Sequence, residues 1–213
     1  WFSSWLWPFA TLGWPDHTDD LKKFYPTQDL VTGPDIIFFW VARMIMAGMY
    51  FCKEIPFSNV YFTGIIRDVD GKKMSKSLGN SPDPLEVMDA YGTDALRYAI
   101  MLIAPHGQDL YYSNDRVEVG RNFANKLWNA ARFVLMNQED KVESSGEVTD
   151  LWDQWILSRL SRTISRVTNA LDEYGFHEMA LQIYDFFRHD YCDWYLEVIK
   201  RRLYNNEDLK SRN

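Results

Sequence analysis

The sequence is poor in cysteine and has no arrangement of the kind that metal sites or disulfide scaffolds require. Its two cysteines, Cys52 and Cys192, lie far apart, each within an apolar helical pattern. Neither has a second cysteine or a histidine at metal-ligand spacing. We therefore expect two core thiols and no metal site built from protein ligands.

The sequence also shows no basic leader and no long uninterrupted hydrophobic run. The most apolar stretch, residues 36–51, has 16 residues and is interrupted by Arg43. A membrane-spanning helix needs about 20 predominantly apolar residues. We therefore expect a cytoplasmic protein without a membrane span.

Positive charge is scarce as well. The net charge is −7 at pH 7 and the isoelectric point is near 5.1. Acidic residues outnumber basic ones both in residues 1–112 and in residues 113–213. This excludes a uniformly basic nucleic-acid-binding domain, so any contact with RNA must use local faces.

What the sequence does contain falls into two parts. Residues 1–112 combine aromatic residues, glycines and prolines in short mixed segments, whereas residues 113–213 carry long amphipathic patterns. The predicted fold class is α/β followed by all-α, with the second part an antiparallel helical bundle. Residues 141–149 (KVESSGEVT) read as a linker within it. Because no methionine opens the chain, we expect it to be a segment of a longer protein.

In the first part, two strands are predicted to deliver polar residues to one edge of a sheet. Residues 29–32 (DLVT) predict a buried strand, and a helix with Asp35 in its first turn follows it. Residues 60–66 (VYFTGII) predict a second strand, and residues 83–90 and 93–103 predict helices. Ligands of open parallel sheets bind outside the carboxyl ends of the strands.

The second strand leads into the sequence GKKMSKSLGN at residues 71–80. Clustered ammonium groups and hydroxyls on a glycine-bounded loop are suited to gripping a polyphosphate. When a carboxylate attacks the α-phosphorus of ATP, negative charge builds on the phosphate oxygens, and fixed cations stabilise that transition state. Lys73 and Lys76 supply such charges. Ser75, Ser77 and Asn80 add short hydrogen-bonding groups. The alternative interpretations are a solvated turn and, for these three residues, ordinary helix capping.

The loop KMSKS at residues 73–77 is the signature of class I aminoacyl-tRNA synthetases, and nearly the whole chain resembles the valyl branch of that family. The supporting strings, in order, are WFSS (1–4), LGWP (12–15), TGPDI (32–36), FWVARM (39–44), GRNFANKLW (120–128) and DWYLE (193–197). The resemblance implies that residues 1–112 are the C-terminal half of a Rossmann-like catalytic domain. It implies that residues 113–213 are a truncated anticodon-binding bundle.

The resemblance also implies an activity, which is ATP-dependent activation of valine followed by transfer to valine tRNA, with Mg²⁺ accompanying the ATP. Lys73 and Lys76 are then catalytic, and Met74, Ser75 and Ser77 join the nucleotide site. The family's other ATP motif and its editing domain fall outside this chain. We therefore expect the chain alone to be inactive and the complete enzyme to be monomeric.

Further site residues follow from the same resemblance. Gly33 and Asp35 match the position where the ribose of the nucleotide lies. Trp1, Ile36 and Trp40 match the positions that shape the valine side-chain pocket. Ile36 and Trp40 are four residues apart, so one helix face can present both to a ligand. The alternative is that they are sheet-facing core residues.

The helical patterns indicate where tRNA would bind. On the first long helix, the predicted apolar stripe comprises Gly120, Phe123, Ala124, Leu127, Ala131 and Val134. At about 100° per residue, Phe133 points roughly 150° away from this stripe, on the side of Arg132. Such an exposed aromatic could stack an anticodon base. Arg159, Arg162 and Arg166 share one face of the next helix and could contact phosphates. The alternatives are interhelical packing for Phe133 and a solvated charged face for the arginines.

Two other functions are compatible with the residues. An isoleucyl-type synthetase is disfavoured by the TGPDI string and would be separated by the amino acid that the complete enzyme activates. A non-catalytic RNA-binding module would retain the bundle while the lysine loop serves no reaction.

Overall fold

The computed structural model describes residues 2–104, 107–137, 148 and 150–204. The chain divides into two compact units, of which the first is Trp1–Ile65 with Gly107–Asp109 and the second is Ile66–His106 with Leu110–Asn213. This division does not coincide with the predicted boundary after residue 112, because the lysine loop and the helices that follow it belong with the long helices. Most of the predicted linker at residues 141–149 lies outside the described residues.

The first unit is built around one pair of parallel strands. A 3₁₀ turn and two short helices, α1 (Trp7–Ala10) and α2 (Asp19–Phe24), precede them. Strands β1 (Thr27–Thr32) and β2 (Phe57–Phe62) pair in register along their length. The predicted strand at residues 29–32 is thus confirmed, with two more residues at its start. Its predicted burial is not, since only Thr32 of these four residues is buried and Val31 is 60% exposed.

A continuous helical run joins the two strands, but it is not a regular α-helix. It consists of a 3₁₀ turn (Pro34–Ile36), a π-helical turn (Ile37–Val41), helix α3 (Ala42–Ala47) and a second π-helical turn (Gly48–Cys52). On its inner face, Val41 and Met44 form one buried cluster with Phe57 of β2. The crossover therefore packs on the sheet that it connects.

This helical run, Pro34–Cys52, is the one helix among the described residues that is long and apolar enough to cross a membrane by length and composition. The helix is longer than the apolar stretch at residues 36–51, because it begins at Pro34 and reaches 19 residues. Core helices of soluble proteins meet the same criteria.

The predicted second strand at residues 60–66 is interrupted. Strand β2 ends at Phe62, and Ile66–Arg67 forms a separate strand, β3. Between them the backbone passes so close to Gln108 that a Cβ on Gly64 would lie 2.0 Å from the Gln108 carbonyl oxygen. Only glycine permits this approach, and the strand breaks there.

The second unit begins with β3, which pairs in parallel with β4 (Leu110–Tyr111). Helices α4 (Pro84–Tyr91) and α5 (Thr93–Ile103) follow the lysine loop, as predicted. The side chain of Asp83 starts α4 by accepting a hydrogen bond from the Leu85 N–H at 2.9 Å. A buried cluster joins α4 and α5 to the start of the first long helix, and it comprises Val87, Ala95, Leu96, Ala99 and Val117.

The remaining described residues form long helices, which confirms the predicted all-α part. They are α6 (Asn114–Asn137), α7 (Leu151–Asp172) and a third run composed of α8 (Phe176–Asp185), a π-helical segment (Phe186–Tyr195) and α9 (Leu196–Leu203). The wider π-helical turns shift the phase of the third run. Trp194, within the π-helical segment, is 60% exposed.

Helix α6 buries the predicted stripe only in its first half, where Gly120 and Phe123 are buried as expected. Phe133 packs against a buried cluster formed by Ala130, Cys192 and Leu196. The predicted stripe residues Leu127, Ala131 and Val134 are exposed instead. The prediction that Phe133 points away from the core is therefore wrong. Helix α6 carries two apolar faces, and the one that includes Phe133 is covered by the π-helical segment and α9.

Candidate active site

The lysine loop begins in a tight hairpin at the end of β3. The Asp68 N–H donates to the Lys72 carbonyl at 2.9 Å, and the Met74 N–H donates to the Ile66 carbonyl at 3.0 Å. Gly71 makes the turn with a φ of 81°, a conformation that other residues rarely adopt. The loop thus starts from a fixed backbone at the carboxyl end of a strand, as the sequence predicted.

Residues 73–80 fold into a compact turn held by polar side chains. The Ser75 hydroxyl accepts a hydrogen bond from the Leu78 N–H at 3.3 Å and so caps a single 3₁₀ turn, Lys76–Leu78. Ser75 and Ser77 also share a hydrogen bond of 3.1 Å between their hydroxyls. The capping interpretation therefore holds for Ser75, whose hydroxyl is already engaged within the loop.

The two predicted catalytic lysines lie on the solvent side of this turn. Lys73 and Lys76 are both exposed. Both residues therefore lie at the surface, on a backbone that the hairpin and the 3₁₀ turn hold. This arrangement suits the neutralisation of a triphosphate by mobile point charges.

Met74, between the lysines, faces the other way. Its side chain lines an apolar cavity of about 140 Å³ beneath the loop. The other lining residues are Ile66, Ser81, Pro82, Pro84, Val87, Leu96, Ile100, Ile103, Leu110 and Tyr112. The geometry therefore makes Met74 an anchor of the loop, whereas the resemblance placed it in the nucleotide site.

Asn80, the residue after Gly79, holds the loop together. Its side-chain oxygen accepts a hydrogen bond from the Ser75 N–H at 2.9 Å, and its side-chain nitrogen donates to Asp68 Oδ2 at 2.7 Å and to the Lys73 carbonyl at 3.3 Å. The pKa of the Asp68 carboxyl is lowered by the hydrogen bonds that it accepts, chiefly the one from the Asn80 side chain and then those from the turn amides. Sequence analysis named Asn80 with Ser75 and Ser77 as a hydrogen-bonding residue, but it did not predict these partners.

The first unit carries the predicted ribose-binding residues at the carboxyl end of β1. Gly33 has extended backbone geometry and leads into the 3₁₀ turn Pro34–Ile36. A Cβ on Gly33 would lie 2.7 Å from Asp35 Oδ1, so the exposed carboxylate folds back over the glycine. The two residues therefore form one small polar feature, as the sequence predicted.

The predicted valine-pocket residues differ in environment. Trp40 is half-buried beside the cluster of Val41, Met44 and Phe57, and its indole N–H donates to the Ser4 carbonyl at 2.8 Å. Ile36 has non-helical backbone angles at the joint between the 3₁₀ and π-helical turns. The turn between them is therefore not a regular α-helical one, and their presentation to one ligand stays a prediction. Trp1 lies outside the described residues.

The predicted tRNA-contacting arginines lie on α7 with spacings of three and four residues, but they are not equally available. The Arg159 guanidinium is paired with Asp190, with Nε 2.7 Å from Oδ2. Arg166 is exposed and donates to the side-chain oxygen of Gln182 at 3.4 Å. Arg162 is exposed. Arg162 and Arg166 are therefore better placed than Arg159 to meet a phosphate.

Trp128 is the large exposed aromatic residue beside Arg132, and sequence reasoning missed it. It is 73% exposed and lines an open groove of about 260 Å³ with Ala131, Arg132, Leu135 and Met136. Its spacing of four residues from Arg132 could have identified it, since such residues are neighbours on a helix surface. Arg132 itself is exposed, as expected.

Neither cysteine forms a disulfide in the structure, and burial raises the pKa of both thiols. Among the described residues, no group of three or more His, Cys, Asp or Glu side chains is placed to hold a metal ion.

Comparison with known protein families defines the class. A family model for class I tRNA synthetases (I, L, M and V) matches residues 1–113, and a model for the anticodon-binding domain of tRNA ligases matches residues 153–213. The first match covers more than half of the chain. The chain therefore belongs to the class I tRNA synthetase family, as the lysine loop indicated.

Similar proteins point to one branch of that family. The chain is 54% identical to the valine–tRNA ligase of Fusobacterium nucleatum over 99% of its own length, and 55% identical to that of Thermotoga maritima over 97%. In both cases it spans 24% of the relative's length. The chain thus corresponds to about a quarter of the curated valine–tRNA ligases that it matches.

Solved structures confirm the predicted fold class. Methionyl-tRNA synthetase of Mycobacterium tuberculosis in complex with methionyl-adenylate matches with a TM-score of 0.76 at 27% identity, over 95% of this chain and 41% of that one. LeuRS of Agrobacterium radiobacter, in a ternary complex with tRNA and LeuAMS, matches with a TM-score of 0.75 at 20% identity, over 88% of this chain and 26% of that one. The second likeness concerns the fold alone.

Proposed function

We propose that the chain is part of a valine–tRNA ligase that uses ATP to activate valine and then transfers it to tRNA(Val). The observation that carries this proposal is the lysine loop, which presents Lys73 and Lys76 from a rigid turn in a chain more than half identical to valine–tRNA ligases. The bundle would bind the anticodon. The complete enzyme would be a monomeric cytoplasmic protein without a membrane span.

In the first step, an oxygen of the valine carboxylate forms a bond to the α-phosphorus of ATP while the bond to the bridging oxygen of pyrophosphate breaks. Charge grows on the pyrophosphate as it leaves, and the ammonium groups of Lys73 and Lys76 would stabilise that charge. Mg²⁺ would accompany the phosphates. In the second step, a ribose hydroxyl of tRNA attacks the activated carbonyl carbon, and AMP leaves.

The adenosine and valine would be held by the first unit. The carboxylate of Asp35 is suited to accept hydrogen bonds from the ribose hydroxyls, next to the extended backbone of Gly33. Ile36 and Trp40 would contribute apolar surface to the valine pocket.

The anticodon would meet α6 and α7. Trp128 beside Arg132 offers an exposed ring for stacking an unpaired base, and Arg162 and Arg166 offer charge for phosphates. This assignment replaces Phe133 with Trp128 as the stacking residue.

Pyrophosphate exchange tests the proposal. The chain would be substituted for the corresponding segment of the Thermotoga maritima enzyme, and valine-dependent ATP–pyrophosphate exchange would be measured. We expect exchange with valine, and a loss of about 2.7–4 kcal/mol of transition-state stabilisation in Lys73→Ala and in Lys76→Ala, seen mainly in kcat.

The same assay separates the alternatives. Preferential exchange with isoleucine would indicate an isoleucyl-type synthetase. Binding of tRNA without exchange under any amino acid would indicate a non-catalytic RNA-binding module. Effects of the lysine variants confined to Michaelis constants would contradict their role in the transition state.

A further inference from the structure

The benefit of the two lysines depends on where the loop holds them. A displacement of about 1 Å at a catalytic group can cost on the order of a hundredfold in rate. Lys73 and Lys76 lie between Gly71 and Gly79, both of which have left-handed backbone angles, with φ of 81° and 67°. A segment bounded by such residues needs other bonds to give it one conformation.

The side chain of Asn80 supplies those bonds at the centre of the loop. It meets the peptide groups on both sides of Met74, accepting from the Ser75 N–H at 2.9 Å and donating to the Lys73 carbonyl at 3.3 Å. The Asn80 side chain thus hydrogen-bonds to the backbone of residues 73–75 through one acceptor and one donor, as the backbone of a neighbouring β-strand would. Because Met74 is seated in the apolar cavity below, the backbone is held from two directions.

Asp68 fixes Asn80 in turn. Its Oδ1 accepts from the Lys72 N–H at 2.8 Å and from the Asp70 N–H at 3.1 Å, and its Oδ2 accepts from the Asn80 side chain at 2.7 Å. The carboxylate therefore connects the turn that precedes the lysines to the residue that follows them. The hydrogen-bond roles are specific, since the carboxylate only accepts whereas the amide both donates and accepts.

We propose that Asp68 and Asn80 are positioning residues of the synthetase reaction, which together hold the lysine loop in the conformation that aims Lys73 and Lys76 at the phosphates of ATP. This inference rests on the proposed function. The pair is called the Asp68–Asn80 clasp below. The clasp acts through the lysines, and neither residue contacts the reacting atoms.

Isosteric exchanges test the clasp. Asn80→Asp places a second carboxylate against that of Asp68, and Asp68→Asn turns an amide nitrogen towards the donor of Asn80. In the double variant the donor and acceptor are reversed, so the link between the two positions forms again, and the introduced carboxylate can still accept from the Ser75 N–H. Only the bond of 3.3 Å to the Lys73 carbonyl is lost.

The variants would be measured in the Thermotoga maritima enzyme carrying this chain, by ATP–pyrophosphate exchange. We expect each single variant to lower kcat by about tenfold or more with the Michaelis constant for valine within about twofold, and the double variant to recover kcat to within about threefold of the parent. In the 213-residue chain itself, exchange of the Ser75 amide hydrogen should be faster in the single variants and slowed again in the double variant.

A second exposed pair serves as the matched control. Asn59 donates to Asp29 at 3.1 Å between β2 and β1, away from the loop in sequence. Asn59→Asp, Asp29→Asn and their double variant make the same chemical changes. We expect them to leave kcat within about twofold of the parent.

The outcomes distinguish the two proposals. If Lys73→Ala and Lys76→Ala leave exchange unchanged, the proposed function fails and the clasp fails with it. If the lysine variants lose activity while the single clasp variants keep it, only the clasp is overturned. It is also overturned if the double variant does not recover activity, or if a single variant unfolds the chain, because the pair would then serve general stability.

Discussion

Two aromatic side chains on α6, five residues apart, lie in opposite environments. Trp128 is 73% exposed in a groove with Arg132, whereas Phe133 packs on Ala130, Cys192 and Leu196. The exposed ring of Trp128 is available to a base, whereas Phe133 is half-buried and uses part of its surface in packing. We therefore expect changes at the two residues to have different effects.

This difference gives a matched pair of variants. We expect Trp128→Ala to weaken tRNA binding by about 1–3 kcal/mol, the typical value of one stacked base, without lowering the melting temperature. We expect Phe133→Ala to lower the free energy of unfolding by about 1–3 kcal/mol, less than a fully buried phenylalanine would, and to leave tRNA affinity unchanged.

Binding of tRNA with native and altered anticodons, together with calorimetry of both variants, makes the comparison. A folded Phe133→Ala variant that no longer distinguishes the two anticodons would restore Phe133 as the stacking residue.

At the scale of elements, α5 and α6 approach each other through their backbones. A Cβ on Gly120 of α6 would lie 2.3 Å from the carbonyl oxygen of Ala95 in α5. This neighbour is backbone and cannot rotate away. Gly120 thus sets the distance between the two helices.

Whether Gly120→Ala raises or lowers the free energy of unfolding tests this contact. On helix propensity alone, Gly120→Ala would stabilise α6 by about 0.5–1 kcal/mol. Because the methyl group would force the helices apart, we expect destabilisation by about 1–3 kcal/mol. Chemical denaturation measures the change, and Ala131→Gly on the exposed face of α6 is the control, with a loss limited to about 1 kcal/mol. A more stable Gly120→Ala variant would mean that the helices are not in backbone contact.

A polar network joins the start of α7 to α9 and the preceding π-helical segment. Asp153 accepts from Arg202 Nη1 at 2.8 Å and from the Tyr195 hydroxyl at 2.8 Å. The hydrogen bonds from Arg202 are the main cause of the lowered pKa of the Asp153 carboxyl. The network therefore couples stability to the charge of one carboxylate.

The sign of the pH dependence follows from this lowered pKa. Because the carboxyl binds its proton more weakly when folded, its contribution is complete above the ordinary aspartate pKa of about 4 and is lost as the pH falls below it through the folded value. We expect Asp153→Asn to cost about 1–2 kcal/mol at pH 7 and to flatten the decline in stability between about pH 5 and pH 2. Thermal unfolding across this range measures it, and an unchanged slope in the variant would exclude Asp153 as the titrating group.

At the scale of the whole molecule, the chain spans about a quarter of the length of its valine–tRNA ligase relatives. The described residues provide the lysine loop but no second phosphate-binding motif of the kind expected to complete the site. Under the proposed function, activation would also need that second half to align ATP with valine, because positioning supplies a large part of the rate.

We therefore expect the isolated chain to show no valine-dependent ATP–pyrophosphate exchange, while the same chain within the Thermotoga maritima enzyme supports it. A purified sample that is folded by circular dichroism is required for the comparison. Measurable exchange by the isolated chain would refute the interpretation that it holds only part of the phosphate site.

The sequence by itself determined the family, the lysine loop and the positions of most helices. These depend on local information, namely the chemical identity of Lys73 and Lys76, the turn-forming glycines, and the 3.6-residue spacing of apolar residues in α6 and α7. The spacing did not reveal the π-helical turns around Ile37 and Phe186. Their backbone hydrogen bonds depend on packing against other parts of the chain, which the spacing of apolar residues does not describe.

Only the tertiary structure decided which side of each element is covered. Helix α6 has apolar residues on two faces, and the cluster around Cys192 and Leu196 covers the one with Phe133 and leaves Trp128 exposed. Likewise, Met74 turns into a cavity formed by distant segments, and Asn80 reaches back twelve residues to Asp68. The physical reason is that burial and hydrogen-bond partners are set by residues far away in the chain, whereas a sequence pattern describes only near neighbours.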